Sequence, residues 1–107
     1  MKATIHKYEL NKLLSKARKI VNNSDKGNPI TRNGLLEFES DGISLYTVNS
    51  ETSLLQKTGE AKVDKVGSIL IPVVRVHDFV QTLPDEFISI YLKSNKINLE
   101  CDEVKAS

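Results

Sequence analysis

The chain has 107 residues, of which 39% are hydrophobic and 27% are charged, and its formal net charge is +1 at pH 7. This composition is typical of one globular domain, and it excludes low-complexity, collagen-like and strongly basic chains. The single cysteine, Cys101, excludes an intrachain disulfide, and no stretch is apolar enough for a secretory leader or a membrane span. We therefore expect a cytoplasmic protein without a membrane partner.

The first predicted elements are a short strand at residues 2–6 and a helix from about Tyr8 to Val21. The apolar residues of this helix form one stripe that is expected to be buried: Leu10, Leu13, Leu14, Ala17, Ile20 and Val21. The lysines Lys12, Lys16 and Lys19 form a second stripe on a side that faces solvent. Residues 22–28 are polar and predict a loop.

A β-rich stretch follows the loop. Residues 35–40 alternate as a strand, with Leu36 and Phe38 on one face, and Asp41-Gly42 predicts a two-residue hairpin turn. The chain returns as a strand at residues 43–48, and residues 51–57 predict a third strand. Residues 59–66 are rich in charge, and we interpret them as an irregular connection.

The stretch from Gly67 to Pro84 predicts a second strand–helix unit. Residues 69–71 form an apolar run typical of a buried strand, and Pro72 suits the first turn of a helix. The apolar stripe of this helix is Val73, Val76, Phe79, Val80 and Leu83. Strands at residues 87–92 and 96–101 come next, and another begins at Val104 but is cut short at Ser107.

The predicted order is β-α-β-β-β followed by a second β-α-β-β-β, which is a repeat of structure without a repeat of residue identity. We expect an α+β fold with pseudo-twofold symmetry, in which two helices cover one face of antiparallel sheets. The halves span about residues 1–62 and 63–107. The truncated last strand indicates either a fragment, a domain whose sheet edges meet other domains, or a frayed C-terminus.

No catalytic constellation is recognisable. His6 and His77 have no metal-ligand spacing, and both are expected at the surface. Cys101 alternates with Ile97 and Leu99, so we expect a buried structural thiol. The glycines form neither type of phosphate-binding loop. The residues therefore argue against the motif-bearing enzyme classes and predict no metal or cofactor, whereas a metal-free hydrolase or other enzyme stays open without a supporting constellation.

The lysine stripe of the first helix is the one functional signal that the residues carry by themselves. Lysines in such a row bind nucleic-acid phosphates through counterion release, without reading sequence. Three tyrosines, three phenylalanines and no tryptophan give little base-stacking surface, which favours duplex over single-stranded nucleic acid. An ordinary solvated helix face explains the same lysines, and the residues alone favour that interpretation while leaving nucleic-acid binding open.

Four motifs, in order along the chain, carry a resemblance to a known family. They are Asn28-Pro29-Ile30 with Asn33 and Leu35-Leu36; Asp41-Gly42-Ile43-Ser44-Leu45; Asn49-Ser50-Glu51; and Ile71-Pro72 with Arg75, Asp78 and Leu83-Pro84. Together with the leucine-rich first helix, they resemble the first domain of the bacterial sliding clamp, the beta subunit of DNA polymerase III. The resemblance covers nearly the whole chain.

The resemblance implies a DNA-clamp fold and a non-enzymatic role as a processivity factor in DNA replication. Such a clamp is a ring of two subunits, each with three similar domains, that closes around duplex DNA with helices lining the channel. It tethers the replicative polymerase and is opened by a clamp loader, both through later domains that are absent here. The DNA-contacting residues that the resemblance implies are Lys12, Lys16, Lys19 and Lys26.

The same resemblance implies that the second helix and the last strands of this domain meet the other subunit. The matching positions are Arg75, Lys96 and Lys105. We expect the chain to be a truncated first domain of a three-domain protein, or a divergent partial clamp. The alternative is a small protein-interaction module of clamp-like fold, which pairs its sheet edges with a protein and does not encircle DNA.

Overall fold

The structure, a computed structural model, describes residues 1–22, 33–49 and 51–101. In chain order its elements are β1 (Lys2–His6), α1 (Lys7–Asn22), β2 (Asn33–Glu39), β3 (Gly42–Val48), β4 (Ser53–Thr58), β5 (Ala61–Lys65), β6 (Gly67–Pro72), α2 (Val73–Gln81), β7 (Phe87–Lys93) and β8 (Lys96–Cys101). The predicted α+β class is confirmed, with two helices among eight strands in the described part of the chain.

Strand β5 corrects the prediction of an irregular connection over residues 59–66. It pairs antiparallel with β1, with Ile5 opposite Ala61 and Ala3 opposite Val63. Ala61 and Val63 are half-buried and pack against the core, whereas Lys62, Asp64 and Lys65 are exposed. The prediction was wrong because only one face of β5 is covered, so its outward charges resemble those of a loop.

The strands form two four-stranded antiparallel sheets. One sheet has the order β5-β1-β7-β8, and the other has the order β4-β3-β2-β6. The strands that precede the helices pair across the repeat: β1, which leads into α1, pairs with β7, and β6, which leads into α2, pairs with β2. This reciprocal pairing is what a pseudo-twofold arrangement requires. The proposed boundary at residues 62 and 63 falls within β5 and stays a prediction.

Helix α1 buries the stripe that its apolar spacing predicts. Leu10, Leu14 and Ala17 are at most 1% exposed, and Leu13 and Val21 are also buried, whereas Ile20 is half-buried at the margin. Glu9 lies in the first turn and Lys19 in the last, which suits the helix dipole. The core lies between the two helices and the inner faces of the sheets, with Ile5, Leu36, Phe38 and Ile90 among its fully buried side chains.

Helix α2 and strand β6 are buried less completely than their apolar spacing predicts. Val73, Val76 and Val80 are buried, but Phe79 is 47% exposed and does not belong to the core. In β6 only Ile71 is buried, and Leu70 is 64% exposed because it points to the outer face of the sheet. Pro72 stands at the N-cap, with φ −77° and an extended ψ, one residue before the first turn.

The hairpin between β2 and β3 is confirmed, with its turn one residue earlier than predicted. Glu39 pairs with Gly42, so the loop residues are Ser40 and Asp41. Gly42 has φ +152°, and a Cβ atom there would lie 2.1 Å from the carbonyl oxygen of Thr58. Glycine is therefore required at this position both by backbone conformation and by space.

Several predictions fall outside the described residues. These are most of the loop at residues 22–28 and the strand that begins at Val104. Within the described part of the chain, neither helix is both long enough and apolar enough to cross a bilayer.

Candidate nucleic-acid interface

Helix α1 carries five basic side chains, and the structure divides them into two groups. Arg18 forms a 2.7 Å ion pair with Asp78 of α2, and the Nζ of Lys7 donates at 2.7 Å to the carbonyl oxygen of Leu83, just after α2 ends. The other three, Lys12, Lys16 and Lys19, are exposed. The charge that faces solvent on α1 therefore comes from the three lysines that the sequence predicts.

Lys12 has partners on its own helix. Its Nζ lies 3.2 Å from the carboxylate of Glu9 and 4.8 Å from the centre of the Tyr8 ring, and 48% of its side chain is exposed. An exposed ion pair of this kind contributes little to stability, about 0.3–0.5 kcal/mol. Such a contact leaves Lys12 able to turn toward an anion.

Lys16 and Lys19 lie on the side of α1 opposite its buried stripe. Among residues 1–22, 33–49 and 51–101, no salt bridge is formed by either lysine. Their ammonium groups are therefore the least compensated positive charges of the helix. Lys26, the fourth predicted DNA-contacting residue, lies outside the described residues.

A polar network joins the two helices and sets their orientation. Asn11, early in α1, contacts Gln81 at the end of α2, whereas Arg18, later in α1, contacts Asp78 nearer the middle of α2. The two helices therefore run antiparallel. His77 is half-buried between Arg18 and Asn11, at 3.1 and 3.0 Å. The prediction of a surface histidine was wrong, because α1 covers this side of α2.

The network defines the protonation of His77. Arg18 can only donate, so Nδ1 of His77 accepts from the guanidinium, and Nε2 carries the proton and donates to Oδ1 of Asn11. Gln81 donates to the same oxygen of Asn11. Burial, and then the charge of Arg18, lower the pKa of His77 below its usual 6.5, although Asp78 acts in the opposite direction. His77 is thus held neutral, and it orients the two helices.

A second cluster lies where α2 meets β8, away from the lysine stripe. Arg75 and Phe79 of α2 and Lys96, Ile97 and Leu99 of β8 line an open groove of about 730 Å³. Two of the predicted subunit-contact residues, Arg75 and Lys96, are thereby brought to one surface, where both are exposed. Lys105, the third, lies outside the described residues.

The family of the chain can now be stated. Residues 1–106 match the family model described as the DNA polymerase III beta subunit, N-terminal domain. The chain belongs to this family. The suspected resemblance and the clamp-domain fold are both confirmed, whereas a search of curated proteins finds no match.

Solved beta-subunit structures superpose closely on this domain. The pol III beta of Caulobacter crescentus is 27% identical, with a TM-score of 0.84 over 94% of this chain and 27% of its own. The beta subunit of Streptococcus pyogenes is 17% identical, with a TM-score of 0.87 over 96% of this chain and 28% of its own. A Helicobacter pylori beta clamp bound to a DNA ligase peptide is 20% identical, with a TM-score of 0.85 over 96% and 28%.

This beta-subunit chain therefore spans little more than a quarter of the structures that it matches. The two matches below 25% identity show the shared fold alone. They place the chain's two sheets and two helices within the clamp-domain architecture.

Phe79 lines the groove between α2 and β8, although the sequence pattern did not predict it there. Its spacing from Val76 and Val80 assigned it to the core, yet it is 47% exposed and lines the same groove as Ile97 and Leu99. The apolar spacing of α2 carried no signal of this exposure, because periodicity shows that an apolar face exists and not how far its neighbours cover it.

The remaining residues with metal-binding or nucleophilic side chains have structural surroundings. In the described part of this beta-subunit domain, no group of three or more His, Cys, Asp or Glu side chains is arranged to hold a metal ion. Cys101 is fully buried, as the alternation predicts. His6 packs edge-on against Phe87, with ring centroids 5.1 Å apart, and its Nδ1 accepts from the backbone of Tyr8.

Proposed function

We propose that this chain is the DNA-facing first domain of a replication processivity clamp. The observation that carries the proposal is the exposed lysine face of α1, in a member of the beta-subunit family. Lys16 and Lys19 are the principal contacts, and Lys12 and Lys26 extend them. The proposal assigns no catalytic step to the chain, and its place of action is the cytoplasm.

The charges of this face suit sliding along duplex DNA. The three lysines are exposed and flexible, and they can reach phosphates without reading base edges. Arg18, the side chain best suited to a rigid bidentate contact, is occupied by Asp78. The interface therefore attracts the backbone at any sequence and has no feature that would hold it in one register.

The groove of Arg75, Phe79, Lys96, Ile97 and Leu99 is proposed as the contact with a second subunit in a homodimeric ring. Its apolar floor lies between Arg75 and Lys96, with Glu100 as the one acid in the lining, which suits a partner surface with an apolar centre and mainly acidic margins. The polymerase and the clamp loader are proposed to bind other domains of a protein as long as the matched relatives. The Helicobacter pylori relative, bound to a ligase peptide, supports peptide binding by such proteins.

The test is binding of this chain to a short fluorescent DNA duplex, followed by anisotropy over a range of salt concentrations. We expect weak binding by the wild type, on the order of 10⁻⁴ M at physiological salt and tighter at low salt. Lys16→Glu with Lys19→Glu should weaken binding at low salt at least about tenfold and flatten the salt dependence, because two phosphate contacts become repulsions.

Arg75→Glu with Lys96→Glu is the matched control, because it changes the net charge by the same amount on another surface. This variant should bind the duplex nearly as the wild type does. Equal losses in the two double variants would mean that only net charge matters, and the assignment of α1 to DNA would be wrong. A wild-type result for the Lys16 and Lys19 variant would contradict the proposal directly.

A further inference from the structure

The outer face of the sheet β4-β3-β2-β6 carries an apolar row that the proposed function does not use. Leu35 of β2 lies opposite Leu70 of β6 and Tyr46 of β3, and Tyr46 lies opposite Leu55 of β4. The four side chains thus stand side by side, one from each strand. Leu55 and Leu70, at the two ends, are 66% and 64% exposed, and Tyr46 is 40% exposed.

This row is not explained by stabilisation of the sheet. Single exposed apolar residues are ordinary, and neighbouring pairs across strands contribute less than about 1 kcal/mol each. Here, however, the most exposed members are on the edge strands, where apolar side chains invite unwanted association. The inner row of the same strands contains Gln56, whose side chain donates to the carbonyl oxygen of Leu13 on α1. At this point of β4 the apolar residue, Leu55, faces outward and the polar residue, Gln56, faces inward, which is the reverse of the usual arrangement.

One flank of the row is acidic. The next residues along the strands form a parallel row of Lys57, Ser44, Glu37 and Ser68, and the hairpin beyond it adds Glu39 and Asp41. Lys57 is shared between Glu39 and Asp41, at 3.1 Å from each. With Glu37, this flank therefore carries three carboxylates and one ammonium group. The row on the other side consists, among the described residues, of Ser53, Val48, Asn33 and Pro72, none of which is charged.

We propose that this apolar row is a docking site for an amphipathic α-helix of a partner protein, one with basic residues along a single flank. Adjacent strands lie about 4.8 Å apart, close to the 5.4 Å rise of one helical turn. A helix lying across the strands can thus place its i, i+3 or i+4, and i+7 side chains between members of the row. Its basic flank would face Glu37, Glu39 and Asp41.

The position of the row makes the partner compatible with DNA. Helix α1 packs on the inner face of this sheet, and the row points away from it, so a helix on the row does not approach Lys16 or Lys19. The inference therefore stands independently of the DNA-binding role, and the two are altered by different substitutions.

The test uses a synthetic amphipathic peptide with leucines on one helical face and lysines along one flank of that face. Its controls are a scrambled peptide of the same composition and a peptide with glutamates in place of the lysines. Binding to the chain is measured by fluorescence anisotropy and mapped by changes in amide chemical shifts. We expect only the peptide with the lysine flank to bind, and not the two control peptides. The largest changes in amide chemical shift should centre on Tyr46 and Leu55.

Leu55→Ser with Leu70→Ser should weaken this binding at least about tenfold, because two exposed leucines lose the surface that they would bury. Leu92→Ser, at a partly exposed leucine of the other sheet, is the matched control and should bind as the wild type does. Glu37→Lys should shift the preference toward the acidic peptide. Thermal unfolding of each variant shows whether the fold is retained.

The other outcomes would overturn the proposal. Unchanged binding by the Leu55 and Leu70 variant would show that the row is not the site, and equal binding of the scrambled peptide would show nonspecific adhesion. If the chain alone instead forms a dimer that the same double variant disperses, the occupant is a second copy and not a helix.

Discussion

At the scale of single residues, Thr47 places a hydroxyl group in the core without a hydrogen-bond partner among the described residues. It lies on the inner face of β3, opposite Gly34, and is 1% exposed. A buried hydroxyl without a partner costs about 1–3 kcal/mol, so Thr47 lowers the stability of the domain.

Thr47→Val should therefore raise the free energy of unfolding by about 1 kcal/mol, since valine has the same shape and suits a strand. Urea unfolding measures the change, and the melting temperature should rise by roughly 4–8 °C. The control is Thr58→Val in β4, which removes a hydroxyl that accepts from the backbone of Glu60 and should not stabilise the domain. A Thr47→Val protein no more stable than the wild type would show that the hydroxyl has a partner.

At the scale of elements, the contact between α1 and α2 depends on a neutral His77. Its Nδ1 faces the guanidinium of Arg18, and its Nε2–H donates to Asn11. Protonating Nδ1 would place two positive groups together and remove the acceptor for Arg18. Both burial and Arg18 lower the pKa of His77 in the folded protein, with Asp78 as the nearby opposing charge.

This lowered pKa predicts a definite dependence of stability on pH. The unfolded chain, whose histidine has a pKa of about 6.5, binds the proton more readily than the folded chain does. The contribution of neutral His77 to the free energy of unfolding should be complete above about pH 6.5. It should be lost as the pH decreases from there through the lowered pKa of the folded protein.

Urea unfolding between about pH 7.5 and pH 5.5 tests this dependence, over a range where most carboxylates stay ionised. His77→Gln should reduce the loss of stability on acidification. His6→Gln, at the other histidine, is the control. This variant should still lose stability on acidification, because His77 is unchanged in it. An equal loss in the His77→Gln protein would contradict the assigned network.

At the scale of the whole molecule, the two halves of the repeat exchange strands. In the sheet β5-β1-β7-β8, β1 comes from the first half, β7 and β8 come from the second, and the proposed boundary divides β5. Strand β6 of the second half completes the sheet formed by β2, β3 and β4. Neither half can assemble the sheet that contains β1 by itself. The repeat is therefore a symmetry within one domain and does not divide it into two folding units.

Peptides of residues 1–62 and 63–107 should each be unfolded alone, because chains this short bury too little surface without their partners. The intact chain should unfold in one cooperative transition. Circular dichroism and the dispersion of amide signals measure both expectations. A folded, cooperatively melting half would show that the repeat consists of independent units.

The local pattern accounts for the elements that have one buried face and one polar face. The spacing of Leu10, Leu14 and Ala17 predicts the buried side of α1, and the lysines opposite them follow from the same periodicity. The Asp41-Gly42 turn predicts the β2–β3 hairpin. Motif order along the chain then indicates the family, which the match over residues 1–106 confirms.

Departures from the pattern arise where burial depends on neighbours that are distant in sequence. Strand β5 looks like a loop until β1 pairs with it, and His77 looks exposed until Asn11 and Arg18 of α1 cover it. Phe79 and Leu70 look like core residues, but Leu70 points to the outer face of its sheet and Phe79 is 47% exposed. Periodicity shows that an apolar face exists, but it does not show what lies against that face.

The sequence by itself thus determined the type of most elements, the lysine stripe and the family, because these depend on spacing along one chain. Only the tertiary structure decided which charges remain available. Pairing across α1 and α2 occupies Lys7 and Arg18, whereas Lys16 and Lys19 face outward. It also aligned Leu35, Tyr46, Leu55 and Leu70 into one row, since strand register is set by long-range pairing and by burial of the opposite face.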